Sequence, residues 1–215
     1  MKLKLFVIIS VMFSLSACRV TDFSSRERTS IFNRYIQPVF QTEYTIYPDQ
    51  FTTEEIATIK QGFKNWEPIL SKLAGKEIHF KYMGIKEVPI DHSDNLHVVV
   101  RLDLSPNTAA CTKLITCYDQ SSKPLLGADI FINSDVSFHT MDQWHMGGWR
   151  EYFSQCLENT VAHEVGHLLG LQHSTNPNDL MYKGGNATCI RVPTENDERA
   201  LEELYLKVLI QYQFK

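Results

Sequence analysis

The chain has 215 residues, 43% of them hydrophobic and 21% charged, with 25 acidic against 21 basic side chains and a net charge of −4. That content suits one domain of ordinary size with a substantial core. The charges are interspersed and no basic run occurs, so nothing points to nucleic acid as a partner.

In chain order, Lys2 and Lys4 precede the apolar run Leu5 to Leu15, the pattern of a secretory signal over residues 1–17. The run is too short for a permanent membrane span. It ends in Leu15-Ser16-Ala17-Cys18, which resembles the lipobox of bacterial lipoproteins. The resemblance implies cleavage before Cys18, lipidation of that residue and anchoring in a membrane of the cell envelope. Arg19 follows where an aspartate would favour inner-membrane retention, so the outer membrane is expected in a Gram-negative cell. Cleavage would remove Lys2 and Lys4, leaving 198 residues with 19 basic and 25 acidic side chains, a net charge of −6. Residues 18–40 read as a lipidated N-terminus and polar tether, and residues 41–215 as a single domain.

Within that domain, Tyr44, Ile46 and Tyr47 predict a first strand from Glu43 that stops at Pro48-Asp49. Thr52-Thr53-Glu54-Glu55 is a capping-box signal for a helix with Ile56, Ile59, Phe63 and Trp66 on one face, ended or restarted by Pro68. Strands are predicted over 77–83, 96–104 and 127–133, with a fifth around Ser134 to His139. A helix is predicted from Ser154 to Leu169. A last helix starts at Thr194, with Asp197 three residues on and Leu201, Leu204, Tyr205, Val208 and Leu209 on one face. No repeat or low-complexity tract appears.

The chemistry is concentrated in His163-Glu164-Val165-Gly166-His167-Leu168-Leu169-Gly170-Leu171-Gln172-His173. His163 and His167, four apart, share one helix face about a turn from each other. Gly170 can take a left-handed conformation, end the helix and let the chain bring His173 to the same metal. Three neutral imidazoles leave a tetrahedral Zn²⁺ one open position for water. Glu164 points elsewhere on the helix and is placed to accept a proton from that water rather than to bind the ion.

This run resembles the long zinc motif of the metzincin metallopeptidases, HExxHxxGxxH. The resemblance extends to a methionine-containing turn at Asn178-Asp179-Leu180-Met181-Tyr182. Ser174 and Leu180-Met181-Tyr182 look most like the matrixins. Lys183 stands where astacin-like and serralysin-like members carry a tyrosine that can reach the metal, so Tyr182 is not carried over as a ligand. The resemblance implies an α+β, zincin-like fold: a twisted, mixed five-stranded sheet with three helices and the zinc site on the central helix. It implies a zinc-dependent endopeptidase that cuts extended polypeptides, with one catalytic Zn²⁺ on His163, His167 and His173, Glu164 as general base and Met181 below the metal. An extended peptide would pair antiparallel with an edge strand at Gly127, Ala128, Asp129 and Ile130, and residues 183–193 would wall the pocket behind the zinc. The expected partners are a protein or peptide substrate and, through Cys18, a membrane; the chain is expected to act as a monomer. The tether is too short for a pro-domain and lacks the cysteine sequence with which many matrixins block their zinc.

Cys18 aside, the four cysteines Cys111, Cys117, Cys156 and Cys189 allow three pairings in an oxidising compartment. The preferred one is Cys111–Cys117 with Cys156–Cys189, the latter tying the start of the zinc helix to the segment after the Met-turn; free buried thiols are the alternative. His92, Asp94 and His97, and likewise His139, Asp142 and His145, resemble the spacing of a secondary metal site, but exposed polar loop positions are the preferred reading of both. Trp144, Trp149, Tyr152 and Phe153 are expected to pack against the start of the zinc helix. Two other functions compete: a surface lipoprotein that binds a protein or glycan with a structural or vestigial zinc, and a non-peptidase zinc hydrolase.

Overall fold

The computed structural model describes residues 43–88, 96–112, 117–118, 124–125, 129–140, 155–184 and 189–213, with backbone only for 117–118, 124–125 and 205–213. The expected signal at 1–17, Cys18, the tether to residue 40, Gly127 and Ala128 lie outside these residues. So do His92, Asp94, Asp142, His145 and the aromatic group Trp144, Trp149, Tyr152 and Phe153.

The fold is α+β. Its main sheet contains β1 (Glu43–Ile46), β2 (Lys81–Ile85), β3 (His97–Leu102), β4 (Ala110–Thr112) and β7 (Ile130–Asn133), in the order β2-β1-β3-β7-β4. The first four strands in that order run parallel and β4 is antiparallel to β7, so the sheet is mixed. Two short ribbons lie outside it: β5 (Cys117–Tyr118) pairs with β6 (Pro124–Leu125), and β8 (Phe138–His139) pairs with β9 (Gln155–Cys156). The helices are α1 (Thr53–Lys64), α2 (Glu67–Ala74), α3 (Leu157–Leu168) and α4 (Glu195–Gln213).

Helix α1 starts where the capping box predicts. Glu55 N donates to Thr52 Oγ1 at 3.2 Å, and Thr52 N donates to Glu55 Oε2 at 2.9 Å. Pro68 restarts the chain as α2 instead of kinking one long helix, which divides the first predicted helix in two. On β3, Val99 faces the cluster built with Ile59, Phe63, Trp66, Val161 and Val165, whereas Val98 and Val100 face a second cluster with Leu104 and Phe131. The sheet is therefore covered on both faces at its centre, as a mainly parallel sheet requires.

Three predicted strands are corrected. The second begins at Lys81, not Glu77, because the amides of Ile78 and Phe80 go to Ser71 Oγ and Glu67 Oε1 on α2 instead of to a neighbouring strand. The strand predicted over 134–139 survives only as β8, outside the main sheet; the fifth strand of that sheet is β4, three residues too short to signal itself by alternation. Finally, the segment expected to be an edge is interior. Ile130 lies between β3 and β4, and Asp129, 2% exposed, accepts the Val98 amide at 3.0 Å. Asp129 and Ile130 therefore do not lie on an edge, and the edge strands of the sheet among the described residues are β2 and β4.

Candidate metal centre and active site

Helix α3 begins at Leu157, three residues later than predicted, because Gln155 and Cys156 first pair with β8. Trp66 Nε1 donates to Ala162 O at 2.7 Å, anchoring the helix from the α1–α2 junction. A Cβ on Gly62 would lie 2.7 Å from Val161 Cγ1, so α1 and α3 cross in close contact there. The helix stops at a Schellman motif. Gly170 takes φ +95°, its amide donates to His167 O at 2.8 Å, and Leu171 N donates to Gly166 O at 3.0 Å. The glycine expected to end the helix does so.

Past that turn the chain brings His173 back to His163 and His167. The three imidazole centroids lie 4.6–5.3 Å apart, and one ring nitrogen from each falls within 4.8 Å of the others. His163 Nδ1 donates to Leu180 O at 2.7 Å, and His167 Nδ1 donates to Leu171 O at 2.8 Å. Because a carbonyl only accepts, these bonds put the proton on Nδ1 and leave each Nε2 lone pair for a metal. Burial lowers the pKa of both residues, His163 to about 4 and His167 well below its ordinary 6.5, so both are held in the neutral form that ligates. His167 Nε2 and His173 Nε2 face each other at 3.1 Å. The edge of a tetrahedral Zn²⁺ site with Zn–N bonds of ~2.05 Å is ~3.3 Å. Donor type, tautomer and spacing therefore fit a zinc ion.

Met181 lies directly beneath this helix. A Cβ on Gly166 would come 2.3 Å from Met181 Sδ and 2.8 Å from Trp66 Cζ2, so only glycine lets the methionine pack here. Asp197 holds the turn from behind, accepting the amides of Leu180 at 3.0 Å, Met181 at 3.2 Å and Thr194 at 2.8 Å. The expected start of the last helix at Thr194 and Asp197 is thus also a clamp on the Met-turn. The segment that carries His173 is fixed similarly: Ser174 N donates to Met181 O at 2.6 Å, and Ser174 Oγ to Asp179 Oδ2 at 2.5 Å. Asp179 also accepts from Asn176, Thr194 and Asn196. A cavity of about 280 Å³ borders His173 and Met181 on the α4 side, reaching Ala200 and Leu204.

This stretch also carries the likeness to known proteins. Residues 111–206 match the Matrixin family. The chain is matrixin-like there. It is 36% identical over 77 residues to human matrix metalloproteinase-20 and 31% identical over 77 residues to human matrix metalloproteinase-15. Each match covers 34% of this chain but only 15% and 11% of the two relatives, so the chain spans a small part of their length. A solved structure, metalloproteinase-II from Bacteroides fragilis, aligns with 75% of this chain and 52% of its own at 13% identity and a TM-score of 0.42.

Glu164 is 5% exposed on the matrixin-like helix, one residue and ~100° around from His163. Its backbone carbonyl accepts from Thr112 Oγ1 at 2.7 Å, so the edge strand β4 is tied to the helix at the glutamate itself. Sequence reasoning missed Thr112, Gly166 and Asp197, whose roles depend on partners 52, 15 and 17 residues away. Of the cysteines, Cys156 and Cys189 are joined, as expected. Cys111 is buried on β4, and the side chain of its expected partner Cys117 lies outside the described ones. His97 and His139 are buried on strands, at 4% and 7% exposure, which corrects their reading as exposed loop residues.

Proposed function

We propose that the chain is a zinc-dependent endopeptidase acting on extended polypeptides. The observation that carries this reading is the convergence of three imidazoles, two with Nδ1 tied to backbone carbonyls, on the helix that bears Glu164. The matrixin match over 111–206 supports it. His163, His167 and His173 would hold the zinc, which when bound supplies a Lewis acid that lowers the pKa of water and polarises a peptide carbonyl.

The chain's own groups do the rest. Glu164 accepts a proton as water attacks the carbonyl and returns it to the departing amine. The peptide is proposed to add antiparallel to β4, which is last in the order of the main sheet. The Thr112–Glu164 bond sets the distance between that edge and the base. Residues 183–193 are proposed to shape the side-chain pocket. We further propose an exported, monomeric, lipid-anchored enzyme held through Cys18 on a bacterial envelope membrane, the outer one in a Gram-negative cell. Mass spectrometry of the mature N-terminus checks that anchor, and an unmodified Cys18 would refute it.

Glu164→Ala should keep zinc and lose about 10²- to 10⁴-fold in turnover on a diverse peptide library. Full activity in that variant would refute the role of Glu164. Zinc bound by the wild type with no peptide cleaved would instead favour a binding protein.

A further inference from the structure

The disulfide Cys156–Cys189 sits beside a buried imidazole. His139 on β8 pairs in register with Cys156 on β9, and one ring nitrogen of His139 lies within 4.8 Å of both sulfurs. We infer that Cys156, Cys189 and His139 form a second, redox-gated site for a divalent thiophilic metal such as Zn²⁺, closed by the disulfide and opened by its reduction.

Three features support a built site. First, the donors stay together without the S–S bond. The β8–β9 pairing holds His139 opposite Cys156, Asn159 Nδ2 donates to Ile190 O, and Asn65 Nδ2 donates to Arg191 O at 2.9 Å. Two side-chain amides thus pin the residues just after Cys189 to α3 and α1. Second, Cys156 is the N-cap of α3 and makes no side-chain capping bond. A ligating sulfur there sits at the positive end of a twelve-residue helix, which offsets the negative charge of a metal-bound thiolate. Third, Cys189 is held at φ +48°, in the left-handed region that non-glycine residues seldom occupy, and is only 9% exposed. A tetrahedral site with two sulfurs and one nitrogen has edges of ~3.8 Å and ~3.5 Å, within reach of the present spacing.

The chemistry balances with a dithiol as reductant. The dithiol transfers two electrons and two protons to the cystine and closes to its own disulfide, leaving two cysteine thiols. Binding of M²⁺ then releases two protons as the thiolates ligate, with His139 as third ligand and a small exogenous ligand as fourth. The disulfide and the metal exclude each other, so metal protects the reduced form, and an added small-molecule disulfide, which takes up two electrons and two protons to become two thiols, re-forms the cystine and expels the metal.

The test uses the purified full chain and Co²⁺ as probe, before and after treatment with a dithiol. Reduction should add one Co²⁺ per chain and a near-ultraviolet thiolate-to-Co²⁺ charge-transfer band. An all-histidine site cannot produce that band, so the result is separate from the fate of the endopeptidase reading. His139→Ala should weaken the added site by at least about tenfold, the lower end of what even an outer-shell partner contributes. The same variant should leave peptide cleavage by the oxidised protein unchanged. No added Co²⁺ on reduction would overturn the proposal, as would a His139→Ala chain that binds as tightly as wild type. The second outcome would also expose simple capture of metal by loosened thiols. Reoxidation should return the bound Co²⁺ to solution.

Discussion

Two buried aspartates behind the site act on structure, not on substrate. Asp197 binds the amides of Leu180 and Met181, while the carbonyl of the same Leu180 receives the His163 ring proton. Asp179, 3% exposed, gathers donors from Ser174, Asn196, Thr194 and Asn176. Burial pushes its pKa up, but those four bonds outweigh burial and hold it below the ordinary 3.8. A carboxylate depressed on folding stabilises the protein above its unfolded pKa, and that contribution is lost as pH falls through the folded value. The urea midpoint should therefore drop as pH falls from just above 3.8, and Asp179→Asn should flatten the drop. An equally steep loss in the variant would place the acid sensitivity elsewhere.

At the scale of elements, two glycines let other parts of the chain approach α3. Gly170 ends it in a left-handed turn that sends His173 back. Gly166 looks like a helix defect, since glycine in a helix interior costs about 1 kcal/mol relative to alanine. The packing reverses that expectation, because Gly166→Ala would drive a methyl group into Met181 and Trp66. The variant should lose about 1–3 kcal/mol of stability by overpacking. It should also lose the proposed peptidase turnover, because the displaced turn carries the Leu180 carbonyl that orients His163. Thermal unfolding and steady-state kinetics on the same preparation check both effects; unchanged stability would show that Met181 yields without strain. Strand β4 belongs to the same scale, since its antiparallel addition outside β7 moves the open edge from residues 127–130 to residues 110–112.

Across the whole molecule, the three clustered histidines join the end of α3, the turn after it and, through Asp197, the start of α4. A metal bound only to the folded arrangement stabilises it by about 2.7 kcal/mol at one hundred times its Kd. Chelation should lower Tm by about 5–10 °C for a chain of this size, and added zinc should restore it. A Tm indifferent to chelator would mean that the three histidines are assembled without a bound ion.

Much of this was legible in the chain itself. The capping boxes at Thr52 and Thr194, the helix stop at Gly170, the apolar run at Val98-Val99-Val100 and the clustering of His163, His167 and His173 all follow from short-range rules, because each concerns residues within about a dozen positions. The meeting of the three imidazoles is set at that range too, since i, i+4 spacing and a left-handed glycine are local geometry. Tertiary structure alone decided that β4 lies at an edge, why Gly166 must lack a side chain, and how Asp197 holds the turn and Thr112 the backbone of Glu164. It also decided that His139 comes to rest against Cys156 and Cys189. Those relations join residues 15 or more positions apart, and only the packing of sheet on helix determines which of the many possible partners meet.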